Sequence, residues 1–329
     1  MSRRVVLVAL DPKDSDAKPF RDAIEGDALL REQVQVHFVT GEAIGAHIGE
    51  AEVVCCGNLS ASYVEQAKAL RWISFWSAGL DGKVTPQLLE RNLMLTTASG
   101  VHGANIAEHV MAWMLMFTRG MHHHLRGQLA REWRRDKWSA GAGELTGQTL
   151  GIVGLGHIGE GLALRAQGFG MRIIATKRDP EARFDASIKL DAIYPPSELR
   201  RLLAESDHVC VAVPYAPSNH HLLDAEVLDA MKPTAYLYNI ARGKVIDESA
   251  LIKALAEERI AGAGLDVFEQ EPLPTESPLW DFPNVLISPH VAGVTPHYFV
   301  RAAQLFAENL HRYLSEERLN NLYDFVRGY

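Results

Sequence analysis

Three segments place polar side chains just where an apolar run ends: NIARG at 239–243, DVFEQEP at 266–272 and ISPHVAG at 287–293. They contribute Arg242, Glu271 and His290. Each run before them reads as a strand, and in open α/β sheets ligands bind beyond the carboxyl ends of the strands. A guanidinium is a permanently charged fork, able to grip a carboxylate and to stabilise negative charge building on a neighbouring carbonyl oxygen. An imidazole titrates near neutrality and can deliver a proton to that oxygen or remove it. The Glu271 carboxylate would orient the imidazole and favour its protonated form. The trio fits reduction of a carbonyl beside a carboxylate, provided that a cofactor supplies the hydride.

A cofactor signature stands upstream. In TLGIVGLGHIGEGLALRAQGFGMRIIATKR, residues 149–178, Gly154, Gly156 and Gly159 form G-x-G-x-x-G between an apolar strand and a helix that leads to a second strand. The first glycine permits a tight turn, the second lets a pyrophosphate approach the backbone, and the third lets the helix pack closely on the sheet. His157 and Ile158 open that helix, whose N-terminus presents backbone N–H groups to the phosphates. An acid is usual at the end of the second strand, where it meets the adenosine ribose; here Lys177 and Arg178 stand instead. A cationic pair there favours a 2′-phosphate, hence NADP as the preferred cofactor with NAD possible.

These segments need a scaffold of strands alternating with helices. Val5–Leu10, Val34–Val39, Val53–Cys56, Trp72–Trp76 and Leu93–Thr97 read as one parallel series, with a helix over Ser60–Leu70. Thr149–Val153, Met171–Thr176, His208–Val213, Ala235–Asn239, Ala261–Val267 and Val285–Ser288 read as a second. Between them runs one long apolar helix, Asn105 to about Arg126, and a Gly/Ala/Ser linker, Trp138–Gly147. A closing helix spans about Pro296–Leu314. His122, His123 and His124 are adjacent on a helix, about 100° apart, so they cannot converge on one metal ion and read as a polar helix end.

The chain has 329 residues, more than one hydrophobic core usually holds, so two domains are expected. A net charge of −8 argues against nucleic-acid and anionic-membrane partners. Cys55, Cys56 and Cys210 lie in strand-like runs at no metal spacing and read as buried thiols, which suits a reducing, cytoplasmic setting. No apolar stretch is long enough for a membrane-spanning helix.

Taken in order, SAGLDG at 77–82, ANIAEHVMAWML at 104–115, LTGQTLGIVGLGHIG at 145–159, VPYAPSNHHLL at 213–223, NIARGKVIDESAL at 239–251, AGAGLDVFEQEPLP at 261–274 and PLWDFPNVLISPHVAG at 278–293 make the chain resemble the D-isomer-specific 2-hydroxyacid dehydrogenase family over essentially its whole length. The resemblance implies an α/β fold of two doubly wound parallel-sheet domains. A Rossmann-type cofactor domain, 103–290, would be flanked by a flavodoxin-like substrate domain, 1–102 with 291–329, and the active site would lie in the cleft between them. It implies that Arg242, Glu271 and His290 are the catalytic three. It would also put backbone N–H groups of Ala78 and Gly79 on the substrate carboxylate, Asp266 near the nicotinamide end, and Pro214, Ile240 and Ala241 along the cofactor. A homodimer is implied, with the long apolar helix in or near its interface.

The substrate class so implied is a small 2-keto or 2-hydroxy acid, as in the glyoxylate and hydroxypyruvate reductases, several of which carry basic residues where Lys177 and Arg178 stand. A phosphoglycerate-type enzyme often has an arginine after its third strand, whereas VVCCGNLSAS offers no cation. Oxidation of formate or phosphite would keep the hydride chemistry with another acid. A cofactor-sensing corepressor on this fold would bind dinucleotide with negligible turnover.

Overall fold

The computed structural model describes residues 3–133, 142–179, 181, 184–325 and 328. The chain forms two compact units, 1–101 with 295–329, and 102–294. Of the expected linker Trp138–Gly147, residues 138–141 lie outside the described ones.

In the first unit β1 (Arg4–Val8), β2 (Val34–Phe38), β3 (Val53–Cys56), β4 (Trp72–Phe75) and β5 (Met94–Thr96) form a parallel sheet in the order β2-β1-β3-β4-β5. That is the flavodoxin-like order, in which the chain runs outward one way from β1 and then reverses. β3 is buried on both faces, as a strand covered by two helical layers must be, which is why its four residues are all apolar. Cys55 and Cys56 are buried, and burial raises both thiols, Cys56 to about 12. One layer is the closing helix Tyr298–Leu314, whose Phe306 and Leu310 pack with Phe20 and Trp72. Beyond β4 the Tyr298 hydroxyl donates to the Trp76 carbonyl.

In the second unit β6 (Thr149–Val153), β7 (Arg172–Thr176), β8 (Ala192–Tyr194), β9 (His208–Val211), β10 (Tyr236–Asn239), β11 (Gly262–Leu265) and β12 (Val285–Ile287) form a parallel sheet ordered β12-β11-β10-β9-β6-β7-β8. β6 lies between β7 and β9, so the chain reverses direction at its carboxyl end, where dinucleotide folds bind their ligand. β8 is a strand the sequence did not suggest: three residues between Asp191 and Pro195 are too short to show a period. Cys210 of β9 is buried and free, its thiol pushed up to about 12.

The long apolar helix is two helices, Gly103–Thr118 and Met121–Ala130. Gly120 adopts φ +64°, a left-handed conformation that ends the first helix, and its carbonyl then accepts from His123 and His124 to start the second. The histidine run is not simply a polar end. His122 is buried, its Nδ1 lies 3.1 Å from the Met116 carbonyl and its ring packs edge-on against Phe117. Burial lowers the pKa of His122 and pushes that of His123 down to about 4. Among the described residues no helix is long and apolar enough to cross a membrane.

Candidate active site

The turn after β6 is built around two glycines, Gly154 and Gly159, whose positions leave no room for a side chain. Gly154 has φ +99°, and a Cβ there would fall 2.7 Å from Val213 Cγ1 and 3.1 Å from the Ala212 backbone. Its N–H donates to the Thr176 hydroxyl at 3.0 Å, and Leu155 N–H donates to the Thr176 carbonyl at 2.9 Å, so β7 fixes the turn. Gly159 would drive a Cβ to 2.7 Å from the Gly154 carbonyl, which is the close helix approach its position requires. Gly156 differs: a Cβ there meets nothing within 4 Å, so space is open beside the backbone.

The helix His157–Ala166 starts at Gly156, whose carbonyl accepts its first bond from Glu160 at 2.8 Å. The N–H groups of His157, Ile158 and Gly159 therefore have no partner inside the helix. Open space beside Gly156 and three such donors fit a pyrophosphate, as the spacing predicts. At the end of β7, Lys177 is half-buried with its Nζ 5.2 Å from the centre of the Phe184 ring, and Arg178 is exposed. Pro214 is exposed after β9, its carbonyl accepting from the Asn219 side chain, while Ile240 and Ala241 are buried after β10.

The three polar segments converge in this unit. Arg242 follows β10, and Asn239 braces its turn by accepting from Ala241 N–H at 3.1 Å and donating to the Arg242 carbonyl at 3.2 Å. The guanidinium donates to the Ala241 carbonyl at 2.7 Å. Gly243 then allows the turn to touch the backbone at Phe268 and Glu269. From that segment comes Glu271, whose Oε1 accepts the Phe268 N–H at 3.1 Å and whose Oε2 lies 2.7 Å from His290 Nδ1. A carboxylate can only accept, so Nδ1 carries the proton and Nε2 is the nitrogen left for a substrate.

Asp266 is 3% exposed and sits beneath His290. Its Oδ1 accepts from Val291 N–H at 2.9 Å and Ser288 Oγ at 2.5 Å, and its Oδ2 from Ala292 N–H at 3.0 Å. The structure thus uses the carboxylate to hold the SPHVAG loop. Asn239, Ser288 and Thr176 are supporting residues that the sequence did not reveal. Their signal is weak: a short polar side chain at the end of a strand, free to bond a neighbouring turn or side chain.

Ala78 and Gly79 belong to the first unit, after β4. There Lys83 Nζ donates to Ser77 Oγ at 2.7 Å, Ser77 Oγ donates to the Gly79 carbonyl at 2.9 Å, and Ala98 N–H donates to the Ser77 carbonyl at 3.0 Å. The loop is therefore tied from three sides.

Residues 111–292 match the family described as D-isomer specific 2-hydroxyacid dehydrogenase, NAD binding domain. The chain is 40% identical over 255 residues to the glyoxylate reductase of Pyrococcus furiosus, covering 75% of this chain and 73% of that one. It is 38% identical over 259 residues to the glyoxylate reductase of Korarchaeum cryptofilum, covering 77% and 75%. The crystal structure of a D-isomer specific 2-hydroxyacid dehydrogenase from Xanthobacter autotrophicus Py2, in complex with NADPH and MES, matches with a TM-score of 0.81 at 27% identity over 100% of both chains. With a dinucleotide turn at the switch point of its sheet and a paired His and Glu beyond the strand ends, this chain belongs to the D-isomer specific 2-hydroxyacid dehydrogenase family and is an NAD(P)-dependent oxidoreductase.

Proposed function

We propose that the protein is an NADPH-dependent reductase of glyoxylate, hydroxypyruvate or a similarly small 2-keto acid. The observation that carries the reading is the 2.7 Å pairing of His290 Nδ1 with Glu271 Oε2, which leaves Nε2 as the proton donor to a carbonyl oxygen. Arg242 grips the carboxylate and stabilises the developing charge on that oxygen. The dinucleotide, when bound, supplies the hydride; the Gly154–Gly159 turn with His157 and Ile158 receives its phosphates, Pro214, Ile240 and Ala241 line it, and Asp266 lies toward its nicotinamide end. Lys177 and Arg178 support the choice of NADPH, as does the NADPH in the Xanthobacter relative.

The test is oxidation of NADPH and of NADH at neutral pH against glyoxylate, hydroxypyruvate, pyruvate and bulkier 2-keto acids, with wild-type protein and Arg242→Ala. Turnover of a small acid with NADPH, lost in the variant while NADPH still binds, supports the reading. No turnover with any acid, with the dinucleotide bound, removes it.

A homodimer is part of the proposal. Met121, Leu125 and Leu129 recur every four residues on one face of the second apolar helix and are 51%, 50% and 78% exposed, an apolar stripe suited to a second copy of the chain. Light scattering of the wild type and of Leu125→Glu/Leu129→Glu tests it; a monomeric wild type would refute it.

A further inference from the structure

His290 holds its side chain toward Glu271 from an unfavourable backbone. Its φ is +54°, a region where a Cβ crowds the neighbouring carbonyl. The restraint is Asp266. Its backbone carbonyl accepts His290 N–H at 2.8 Å, and its carboxylate takes the Val291 N–H, the Ala292 N–H and the Ser288 hydroxyl.

Ser288 has a single proton to give. At 2.5 Å from a buried carboxylate, that proton goes to Asp266, so the hydroxyl oxygen is an acceptor toward its other neighbour. That neighbour is His109 Nε2, 3.0 Å away on the helix Gly103–Thr118. The chemistry therefore fixes the His109 tautomer with the proton on Nε2. Its ring stands edge-on to Trp113, centroids 4.3 Å apart at 84°, and so is packed on one side by the indole. Burial lowers its pKa, against an opposing pull from Asp266, and keeps the ring neutral near pH 7.

We propose that His109 is a positioning residue for the reductase site: by donating from Nε2 to Ser288 it directs the serine proton onto Asp266, and Asp266 in turn keeps His290 against Glu271. The inference rests on the proposed reductase activity. Without the His109 donor the Ser288 hydroxyl can turn away, and Asp266 loses a charge-assisted hydrogen bond.

The test compares full-length wild type, His109→Leu, His109→Gln and Ser288→Ala. Steady-state turnover of glyoxylate with NADPH, NADPH affinity by fluorescence, and the 15N signal of His290 Nδ1 are measured for each. His109→Leu and Ser288→Ala are expected to lower kcat about 10- to 100-fold with NADPH affinity changed less than about 3-fold, and to move the His290 Nδ1 signal away from its protonated position. His109→Gln, whose side-chain N–H reaches the same hydroxyl, is expected to restore both.

An unchanged kcat in folded His109→Leu, or a glutamine variant as impaired as the leucine one, overturns the proposal. If His109→Leu does not fold, Ser288→Ala and His109→Gln carry the comparison. If the wild type turns over none of the acids, the reductase reading fails, and the NMR signal by itself decides whether His109 positions His290.

Discussion

Gly243 and Phe268 touch through their backbones: a Cβ on Gly243 would fall 1.8 Å from the Phe268 carbonyl carbon and 2.0 Å from its oxygen. The turn that carries Arg242 is therefore pressed onto the segment that ends in Glu271. Gly243→Ala must separate them. It is expected to cost about 3 kcal/mol or more, lowering Tm by about 10 °C, and to abolish most turnover. Gly168→Ala, where a Cβ meets nothing within 4 Å, is the control and should melt at or above the wild-type temperature. Equal melting curves for Gly243→Ala and wild type by calorimetry would contradict the contact.

Glu271 does two jobs at once, accepting from Phe268 N–H and holding His290 Nδ1. Glu271→Gln keeps the shape and can still accept one proton, but removes the negative charge that stabilises an imidazolium. A fall in kcat/KM of about 10- to 100-fold, about 1.4–2.7 kcal/mol of transition-state stabilisation, is expected with unchanged NADPH affinity. Turnover equal to wild type would show that the charge is not used.

At the end of β7 the pair Lys177 and Arg178 is the basis for naming NADPH. Lys177→Ala/Arg178→Ala should raise the KM for NADPH about 10- to 100-fold and that for NADH less than about 3-fold. Parallel changes in both would remove the preference from these residues.

His208 links acidity to stability. It is 1% exposed, with Nδ1 2.9 Å from the Tyr238 hydroxyl and Nε2 2.7 Å from Gln148 Oε1, a pattern that the neutral ring satisfies by donating to Gln148 and accepting from Tyr238. Burial pushes its pKa down to about 4, below the usual 6.5. The unfolded chain thus takes up a proton between pH 6.5 and 4 that the folded one refuses, so stability falls as pH falls through that window. From pH 7 to pH 5 this one residue should account for about 2 kcal/mol in urea unfolding. His208→Gln should show that much less loss over the same interval; an identical pH dependence would count against the burial effect.

The alternating strands were legible because a parallel sheet covered on both faces demands unbroken apolar runs: Val53–Cys56 and Thr149–Val153 are found to the residue. The break at Gly120 was hidden because apolar residues continue on either side of it, and only the left-handed backbone reveals the end of the helix. Arg242, Glu271 and His290 were visible as polar residues at strand ends. Their supports were not. Ser288 meets Asp266 from 22 residues away and His109 from 179, and contacts so distant leave no period in the chain.

Two faces of the helix His157–Ala166 meet backbone with no side chain between. Gly159 abuts the Gly154 carbonyl, and a Cβ on Gly161 would lie 2.6 Å from the carbonyl of Gly103, on the helix that also bears His109. Substitutions can accumulate at the exposed end of β7 without touching either contact, whereas no single replacement at 159 or 161 leaves the helix where it is. On the cofactor roles proposed for Lys177, Arg178 and the Gly154–Gly159 turn, the choice between dinucleotides is free to drift in a lineage of such proteins while the grip on their shared pyrophosphate stays fixed.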